Sequence, residues 1–392
     1  MSDFLTRTYQ IGRAYNEILG RDPDPNGLRH YLRGSEPITA VREQLLKSEE
    51  GRRVTAALAL ASERIRDLAR GRPALLLFGA YGNGNAGDAI QPSLILSAIQ
   101  KRSDAAVFAF SQLNVAPYSF PEDYVLRNDH LPLHPTMLRK FDALIVGGGG
   151  LFAHPHDPLW SDIWADVVPI PFSILGCGVA PTLPTGCRRL FSRATFVSVR
   201  DVASQRAVAR VTQHAHLCPD PFLGHATMRA PCSTSRRYRT AYVVRGPLSP
   251  IHQALSAAVG TDDIVVSMEP AIDSPLKSEF SGILDTPSME DLVDVLSCCE
   301  RVVTQRYHGA IAAIKLGKPV AALTTGDNNE SKLIELFEQI GLPHWCKRSF
   351  TFPPWESFAY PDLNGFLTTS TQGFDESISE LLRSHHLATR PS

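Results

Sequence analysis

The sequence predicts an α/β protein in which two doubly wound lobes follow an all-helical N-terminal module. Residues 1–70 carry apolar positions at helical spacing and contain no strand-like run. From Ala74 onward, short continuous apolar runs alternate with helical segments, and the runs fall into two sets. Such runs are typical of parallel sheets that are buried on both faces. Two sets therefore predict two lobes.

The N-terminal module is predicted from the periodicity of its apolar residues. Ile11, Tyr15, Ile18 and Leu19 recur on one helical face, and Gly20 follows as a C-cap. More helix is expected over residues 41–46 and 54–68. The module is assigned to residues 1–70.

Eight apolar runs predict the strands of the two lobes. The first lobe, residues 71–230, and the second, residues 231–392, are divided within a polar stretch between about Gly224 and Thr240. The runs are Ala74–Phe78, Ala143–Val146, Phe172–Leu175 and Phe196–Val199 in the first set, and Ala241–Val244, Ile264–Ser267, Arg301–Thr304 and Val320–Leu323 in the second.

Composition excludes several classes of protein. The 39 Lys and Arg residues balance 40 Asp and Glu residues, so binding of nucleic acid by bulk charge is not expected. The seven Cys lack C-x-x-C spacing, which predicts neither a disulfide framework nor a thiolate zinc site. No apolar signal region or membrane-spanning run is present, so a cytoplasmic protein is expected.

The first strand is followed by a glycine-rich segment that begins a helix. Asn85, Gly87 and Asp88 lie in this segment, where backbone can approach a ligand closely and the helix N-terminus favours an anion or a hydroxyl. Asp88 is expected at or near the N-cap. The alternative is an ordinary helix cap with a tight turn.

Three more strands of the first lobe end in glycine or polar residues. Gly148 and Gly149 belong to a run of four glycines, and a second glycine-containing turn covers Gly176–Pro181. Arg200 and Asp220 follow later apolar segments. Ligands bind beyond the carboxyl ends of strands in doubly wound sheets, so these positions predict a cleft, with close packing as the alternative for the glycines.

The sharpest signal is the run from Arg306 through His308 to Gly309, which joins a strand to a helix in the second lobe. A helix N-terminus attracts anions, and Arg can bind a phosphate or carboxylate through two parallel hydrogen bonds. His can give or take a proton near neutral pH. Arg245 and Lys332 follow neighbouring strands of that lobe and are expected to face the same cleft, or else to be solvated surface charges.

Taken together, these pieces resemble the polysaccharide pyruvyltransferase family. The matching segments run in family order over about residues 74–340, with Tyr307 at a position where the family often has Leu. They are Asn85–Asp88, Gly147–Gly150, Gly176–Pro181, Val199–Asp201, Pro219–Pro221, Arg306–Gly309 and Lys332.

The resemblance implies a fold similar to that of two-lobed, Rossmann-like GT-B glycosyltransferases. It implies phosphoenolpyruvate as donor and a sugar of a polysaccharide or lipid-linked glycan as acceptor. Two sugar hydroxyls become bridged as a pyruvate ketal, phosphate leaves, and neither metal nor cofactor is needed.

The residues are assigned to this chemistry as follows. The donor side is the second lobe, where Arg306, Arg245 and Lys332 are expected to hold the donor, with Gly309 beside them. His308 is the expected acid, for the methylene carbon or for departing phosphate. Asp88, expected across the cleft in the first, acceptor-side lobe, is the base. The remaining cleft positions, Asn85, Gly87, Gly148, Gly149, Arg200 and Asp220, are assigned to the acceptor.

The N-terminal module is similar to the DUF4214 module, a small helical appendage of glycan-related and cell-surface proteins. The similarity covers Ala14–Leu32 and continues at residues 45–50. It implies docking or targeting rather than chemistry. A mild excess of basic residues favours peripheral contact with an anionic inner-membrane surface, and the alternative is a solvated helical face.

Two other functions remain open at this point. A nucleotide-sugar glycosyltransferase on the same fold would also use a helix N-terminus to hold phosphates. A non-catalytic glycan-binding protein with a decayed site is the alternative that is not an enzyme.

Overall fold

The structure is a computed structural model in which the chain forms two compact units. Unit 1 comprises Met1–Gly82, Ile95–Leu217 and Ser377–Ser392, and unit 2 comprises Asn83–Leu94 and Cys218–Glu376. The described residues are 2–111, 120–127, 133–152, 166–183, 185–212, 214–225, 237–246, 252–280, 282–324, 331–349, 351–361 and 363–387.

Unit 1 begins with four helices: α1 (Ser2–Leu19), α2 (Pro25–Arg33), α3 (Ile38–Lys47) and α4 (Glu49–Ala69). Their buried core includes the apolar residues that the periodicity selected, among them Ile11, Tyr15 and Ile18. Asp24 caps α2 by accepting hydrogen bonds from the backbone N–H groups of Asn26 and Gly27. The predicted helical start of the chain is confirmed.

The sheet of unit 1 has seven parallel strands in the order β3-β2-β1-β4-β5-β6-β7. The order reverses between β1 and β4, which makes this gap the switch point where ligands of such sheets bind. The strands are β1 (Ala74–Phe78), β2 (Ala106–Ser111), β3 (Val125–Arg127), β4 (Ala143–Gly147), β5 (Phe172–Cys177), β6 (Phe196–Val199) and β7 (Ala215–Leu217).

The sheet of unit 2 has six parallel strands in the order β10-β9-β8-β11-β12-β13. Its switch point lies between β8 and β11. The strands are β8 (Tyr238–Val243), β9 (Ile264–Ser267), β10 (Ile283–Asp285), β11 (Cys299–Thr304), β12 (Val320–Leu323) and β13 (Cys346–Lys347).

Helices follow the strands in both units. The remaining described α-helices are α5 (Ala86–Gln100), α6 (Pro135–Leu138), α7 (Thr185–Arg193), α8 (Val202–Val208), α9 (Pro221–Gly224), α10 (His252–Ala258), α11 (Pro270–Asp273), α12 (Met289–Ser297), α13 (Tyr307–Lys315), α14 (Ser331–Gln339) and α15 (Asn364–Ser384).

The predicted fold class of two doubly wound lobes with an N-terminal helical module is confirmed. All eight predicted strands are present, within three residues at each end. The apolar residues Ala86, Ile90 and Leu94 at the start of α5 pack in the core of unit 2. This part of α5 was expected in the first lobe, so Asp88 lies in the same unit as His308.

Two other findings bear on the sequence analysis. In the described part of the chain, no helix is long and apolar enough to cross a membrane. Cys298 is disulfide-bonded, whereas the cysteine spacing predicted no framework, and five other described cysteines are free.

The end of α15 is tied to the sheet of unit 1 by an imidazole. Nε2 of His385 lies 2.7 Å from Oγ of the buried Ser173 on β5. Burial lowers the pKa of His385 from 6.5 to about 4, with a smaller lowering effect from His386. As the pH falls below 6.5, the unfolded chain binds a proton that the folded chain does not. Acid therefore weakens this contact.

We expect His385→Gln to remove part of the acid sensitivity of folding, because an amide can bond to Ser173 but does not titrate. Above pH 6.5 the titration of His385 contributes nothing to the pH dependence of folding. Between pH 6.5 and about 4, its contribution lowers the free energy of unfolding of the wild type by at most about 1.4 kcal/mol per pH unit, which is the effect of one proton. Urea denaturation across this range measures it. The exposed His386→Gln is the control, and identical pH slopes in all three proteins would contradict the expectation.

Candidate functional site

The loop between β11 and α13 is held in place by Thr304. Its Oγ accepts a hydrogen bond from the backbone N–H of Arg306 at 2.9 Å and lies 3.2 Å from the carbonyl oxygen of Val243 on β8. Arg306 is the N-cap residue of α13, and His308 is its second residue. The switch-point strands therefore fix where α13 begins.

Arg306 forms a buried ion-pair network. Its Nη1 donates to Glu269 Oε2 at 2.7 Å, and its Nη2 donates to Asp273 Oδ1 at 2.6 Å. Arg306 is 8% exposed and Asp273 is 0% exposed. Asp273 also accepts hydrogen bonds from Ser267 Oγ and from the backbone N–H of Gly246. The network joins the segments that follow β8, β9 and β11.

This pairing bears on the donor-binding role expected of Arg306. Two carboxylates already pair with the guanidinium inside unit 2, because both of its terminal nitrogens donate to them. Of the three guanidinium nitrogens of Arg306, Nε is the one that is buried without a hydrogen-bond partner among the described residues. The geometry favours Arg306 as the residue that positions the loop carrying His308.

His308 lies beside a buried carboxylate. Its Nε2 is 3.4 Å from Asp220 Oδ2 and 3.2 Å from Gln91 Nε2. His308 is 7% exposed and Asp220 is 0% exposed. The proton resides either on Nε2, facing Asp220, or on Nδ1, with the Gln91 amide donating to Nε2. An imidazole that can exchange between these states beside a carboxylate is suited to proton transfer.

Asp220 is itself held by the start of α9. Its Oδ1 accepts a hydrogen bond from the backbone N–H of Phe222 at 2.9 Å. The Phe222 ring meets the His308 ring edge to face, with centroids 6.4 Å apart. The four-residue helix α9 thus orients the carboxylate and walls one side of the imidazole.

The glycine-rich segment before α5 supplies the other side. A Cβ added to Gly87 would overlap the His308 ring, closest to Nδ1, so only glycine allows the imidazole this close. Asn85 caps α5 through Oδ1, which accepts from the Gly87 N–H at 2.9 Å. Asp88 therefore lies in the first turn, where its Oδ2 accepts from Asn83 Nδ2 at 3.1 Å.

Two predicted cations lie near the switch point. Arg245 is exposed, and its backbone N–H donates to Gln305 Oε1 at 3.0 Å, which links the loops after β8 and β11. Nζ of Lys332 lies 5.7 Å from the centroid of the Tyr307 ring. That ring meets His308 edge to face at 5.6 Å.

Gly309 has a packing role in this arrangement. A Cβ at this position would lie 2.6 Å from Thr304 Oγ and 3.1 Å from Val243 Cγ1. The glycine lets α13 pack against its strands, which is the close strand–helix approach typical of such turns.

The remaining predicted residues lie in unit 1. Gly148 and Gly149 both have positive φ, at 79° and 75°. The Arg200 guanidinium is buried, pairs with Asp201 at 3.2 Å and occupies the space where a Cβ of Gly178 would lie. These residues form a cluster at the ends of β4, β5 and β6 within unit 1.

Sequence reasoning missed four residues of the unit 2 site: Gln91, Glu269, Asp273 and Lys315. Glu269 and Asp273 are four residues apart after a strand, and Lys315 is seven residues after His308 on one helix. Both spacings place side chains on a common helical face, so periodicity offered a signal. The described residues contain no cluster of three metal-ligating side chains.

We expect Arg306→Leu to lower the free energy of unfolding by about 3–5 kcal/mol, because it leaves two buried carboxylates unpaired. The control Arg245→Leu, at an exposed position of the same switch point, should cost less than about 0.5 kcal/mol. Urea denaturation measures both. Adding Glu269→Gln and Asp273→Asn to Arg306→Leu should recover part of the loss; equal costs for Arg306→Leu and Arg245→Leu would contradict the network.

Comparisons with solved structures return only distant likenesses. A Methanocaldococcus jannaschii UDP-GlcNAc 2-epimerase in complex with UDP-GlcNAc and UDP is 12% identical, with 79% of this chain and 99% of that chain covered and a TM-score of 0.47. S. aureus MnaA in a co-structure with UDP is 10% identical, with 80% and 90% covered and a TM-score of 0.46. A Thermobaculum terrenum O-GlcNAc transferase mutant is 14% identical, with 96% and 78% covered and a TM-score of 0.42. Likenesses this distant carry no argument about activity.

The family comparison is more specific. No curated protein matches the chain. The family model described as polysaccharide pyruvyl transferase matches residues 85–328, which is more than half of the chain. The match begins at the Asn85 cap and extends past α13, so it includes His308, Asp220 and Arg306. The chain therefore belongs to the polysaccharide pyruvyl transferase family.

Proposed function

We propose that the protein transfers a pyruvyl group from phosphoenolpyruvate to a sugar of a polysaccharide or lipid-linked glycan and forms a pyruvate ketal. The observation that carries the proposal is the buried pair of His308 and Asp220, 3.4 Å apart at the start of α13. It lies at the switch point of unit 2, within the segment that matches the family.

The reaction balances without a cofactor, metal or redox partner. A proton adds to the methylene carbon of phosphoenolpyruvate, and C2 gains cationic character. One sugar hydroxyl oxygen attacks C2 and loses its proton, the C2–O bond to phosphate breaks, and the second hydroxyl oxygen attacks C2 and loses its proton. Two protons leave the sugar hydroxyls. One balances the proton added to the methylene carbon, and the other is taken up by the departing phosphate.

His308 is the acid in this scheme. Asp220 Oδ2 lies 3.4 Å from Nε2 and can orient the imidazole so that it gives a proton to the methylene carbon or to phosphate. Gln91 accommodates the ring after the proton has left, since its amide can donate to the bare Nε2.

Asp88 is the proposed base for the sugar hydroxyls. It is half-buried in the first turn of α5, one turn before Gln91, and Asn83 holds one of its oxygens. Its assignment is supported by Gln91, one turn later on α5, whose amide lies 3.2 Å from His308 Nε2. Asn85 and Gly87 shape this side of the site. Gly148, Gly149 and Arg200 of unit 1 remain proposed acceptor contacts.

The donor requires cations for its carboxylate and phosphate. Because Arg306 is already paired, we assign the donor charges to Arg245, Lys332 and the positive end of the α13 dipole. Lys332 is suited to this role because its ammonium lies near the Tyr307 ring, and that ring in turn packs against the His308 ring.

The N-terminal helices are proposed to dock the enzyme, in keeping with their similarity to the DUF4214 module and their mild basic excess. Contact with an anionic membrane surface would bring the site to lipid-linked acceptors. Co-sedimentation with anionic vesicles, with and without residues 1–70, tests this; binding unchanged by the truncation would contradict it.

The test of the proposed function is an incubation with phosphoenolpyruvate and candidate lipid-linked or nitrophenyl glycosides. Phosphate release together with a gain of pyruvate mass on the acceptor is expected. Thermal stabilisation by a UDP- or GDP-sugar but not by phosphoenolpyruvate would instead favour a glycosyltransferase. Binding of a glycan without any donor would favour a non-catalytic protein.

We expect His308→Asn to lower kcat by about 10²–10⁴-fold while the melting temperature stays near that of the wild type. Asparagine resembles the imidazole in size but carries no transferable proton. The exposed His344→Asn in the same unit is the control. Near-normal turnover by His308→Asn would refute the role of His308.

We expect Lys332→Ala and Arg245→Ala each to weaken phosphoenolpyruvate binding by about tenfold or more, because each removes a charge-assisted contact. Calorimetry measures the Kd, and the loss should shrink at high salt. The exposed Arg348→Ala is the control. A Kd unchanged in both variants would contradict the donor assignment.

A further inference from the structure

Lys315 is a buried lysine at the last position of α13, the helix that carries the proposed acid near its start. It lies on α13 seven residues after His308, so the two side chains point from the same helical face. Lys315 is 9% exposed. A lysine this buried requires partners that offset its desolvation, and those partners identify what it does.

Among the described residues, the polar contacts of the Lys315 side chain go to the segment that carries Asp220. Its Nζ donates to the carbonyl oxygen of Phe222 at 2.8 Å and to that of His225. The ammonium also lies 5.2 Å from the centroid of the Phe222 ring. The C-terminal end of α13 therefore binds α9 through Lys315. The N-terminal end of α13 carries His308, which lies beside Asp220, the N-cap residue of α9.

The charges support the same connection. Burial lowers the pKa of Lys315 to about 8, and the negative charge of Asp220 opposes that lowering. The ionisable groups of the described elements packed against α13 are Asp88 of α5, Asp220 before α9, Glu290, Asp291 and Asp294 of α12, Cys299, Glu300 and Arg301 of β11, Lys332, Glu335 and Glu338 of α14, and Tyr360, whose hydroxyl donates to the carbonyl oxygen of Ile314. Among them, Asp220 is the group whose charge acts on Lys315.

We propose that Lys315 is a positioning residue that fixes Asp220 and sets the charge balance of the Asp220–His308 pair. The role in catalysis rests on the proposed function, but the charge coupling does not. Lys315 touches Asp220's segment and no reacting atom, so it acts through the pair.

The direction of the effect follows from electrostatics. With a single shared proton, Asp220 and His308 together are neutral, and loss of the proton leaves a net charge of −1. A nearby ammonium stabilises the negative state and so promotes proton loss at lower pH. Removing the ammonium makes the pair hold its proton to higher pH, by about one pH unit for buried charges at this range.

The experiment compares Lys315→Met, which removes the charge, with Lys315→Arg, which keeps it. Lys318→Met is the matched control, because Lys318 is also partly buried and donates to two backbone carbonyls, those of Ser297 and Cys299. The alkaline limb of the kcat/KM profile for pyruvyl transfer should move upward by about one pH unit in Lys315→Met. It should stay near the wild-type position in Lys315→Arg and Lys318→Met.

A second measurement needs no substrate. The ring titration of His308 is followed by NMR on the full chain with labelled histidine, and His308→Asn assigns the signal. Its midpoint should rise in Lys315→Met alone. If the His308 midpoint shifts but no variant transfers pyruvyl groups, the proposed function is contradicted, while the charge coupling between Lys315 and the Asp220–His308 pair is supported. An unshifted midpoint and alkaline limb, with only a lower kcat, would overturn the coupling.

Failure of Lys315→Met to fold is also informative. The double variant Lys315→Met/Asp220→Asn leaves neither of the two buried charges in place, so it should be more stable than the single variant. A double variant as unstable as Lys315→Met would contradict the pairing of the two charges.

Discussion

The ion pairs of Arg306 with Glu269 and Asp273 are the interaction on which the second lobe's site depends. They gather the ends of three neighbouring strands, and a parallel sheet offers no hydrogen bonds of its own beyond those ends. A guanidinium suits this place because its fork can meet two carboxylates in fixed geometry. Everything nearer the chemistry, from the N-cap of α13 to the imidazole, takes its position from this frame.

The helix that follows divides its tasks by position. Its first turn presents Tyr307 and His308, its middle packs apolar residues against the sheet, and its last turn sends Lys315 to the segment of Asp220. A nine-residue helix is short, yet both of its ends are fixed by polar contacts. The imidazole of His308 and its carboxylate partner are thereby held by the same helix, a geometry that suits the proposed proton transfer.

The sequence was most informative where local pattern alone decides the outcome. Continuous apolar runs identified eight strands, and the short strands β3, β7, β10 and β13 gave too few residues to be seen. The buried six-residue strand β2 (Ala106–Ser111) was missed as well, although its apolar run is as continuous as those that were found. The site was half visible. Arg306, His308 and Asp220 were found because each follows a strand, but the pairing of Arg306 with two acids depends on which strands are neighbours. Tertiary packing also decided that Asp88 and Gln91 join unit 2, since the first half of α5 buries its apolar face there.

The absence of a side chain at Gly87 has a consequence for how such a site can change. The imidazole of His308 occupies the space that a Cβ at position 87 would need, so a residue larger than glycine does not fit there. Substitution of the buried acids around Arg306 is unfavourable for a different reason, because it removes an ion-pair partner of the buried guanidinium. Substitutions are expected to be tolerated best at the solvent-facing rim, at exposed positions such as Arg245, where neither steric overlap nor an unpaired buried charge results.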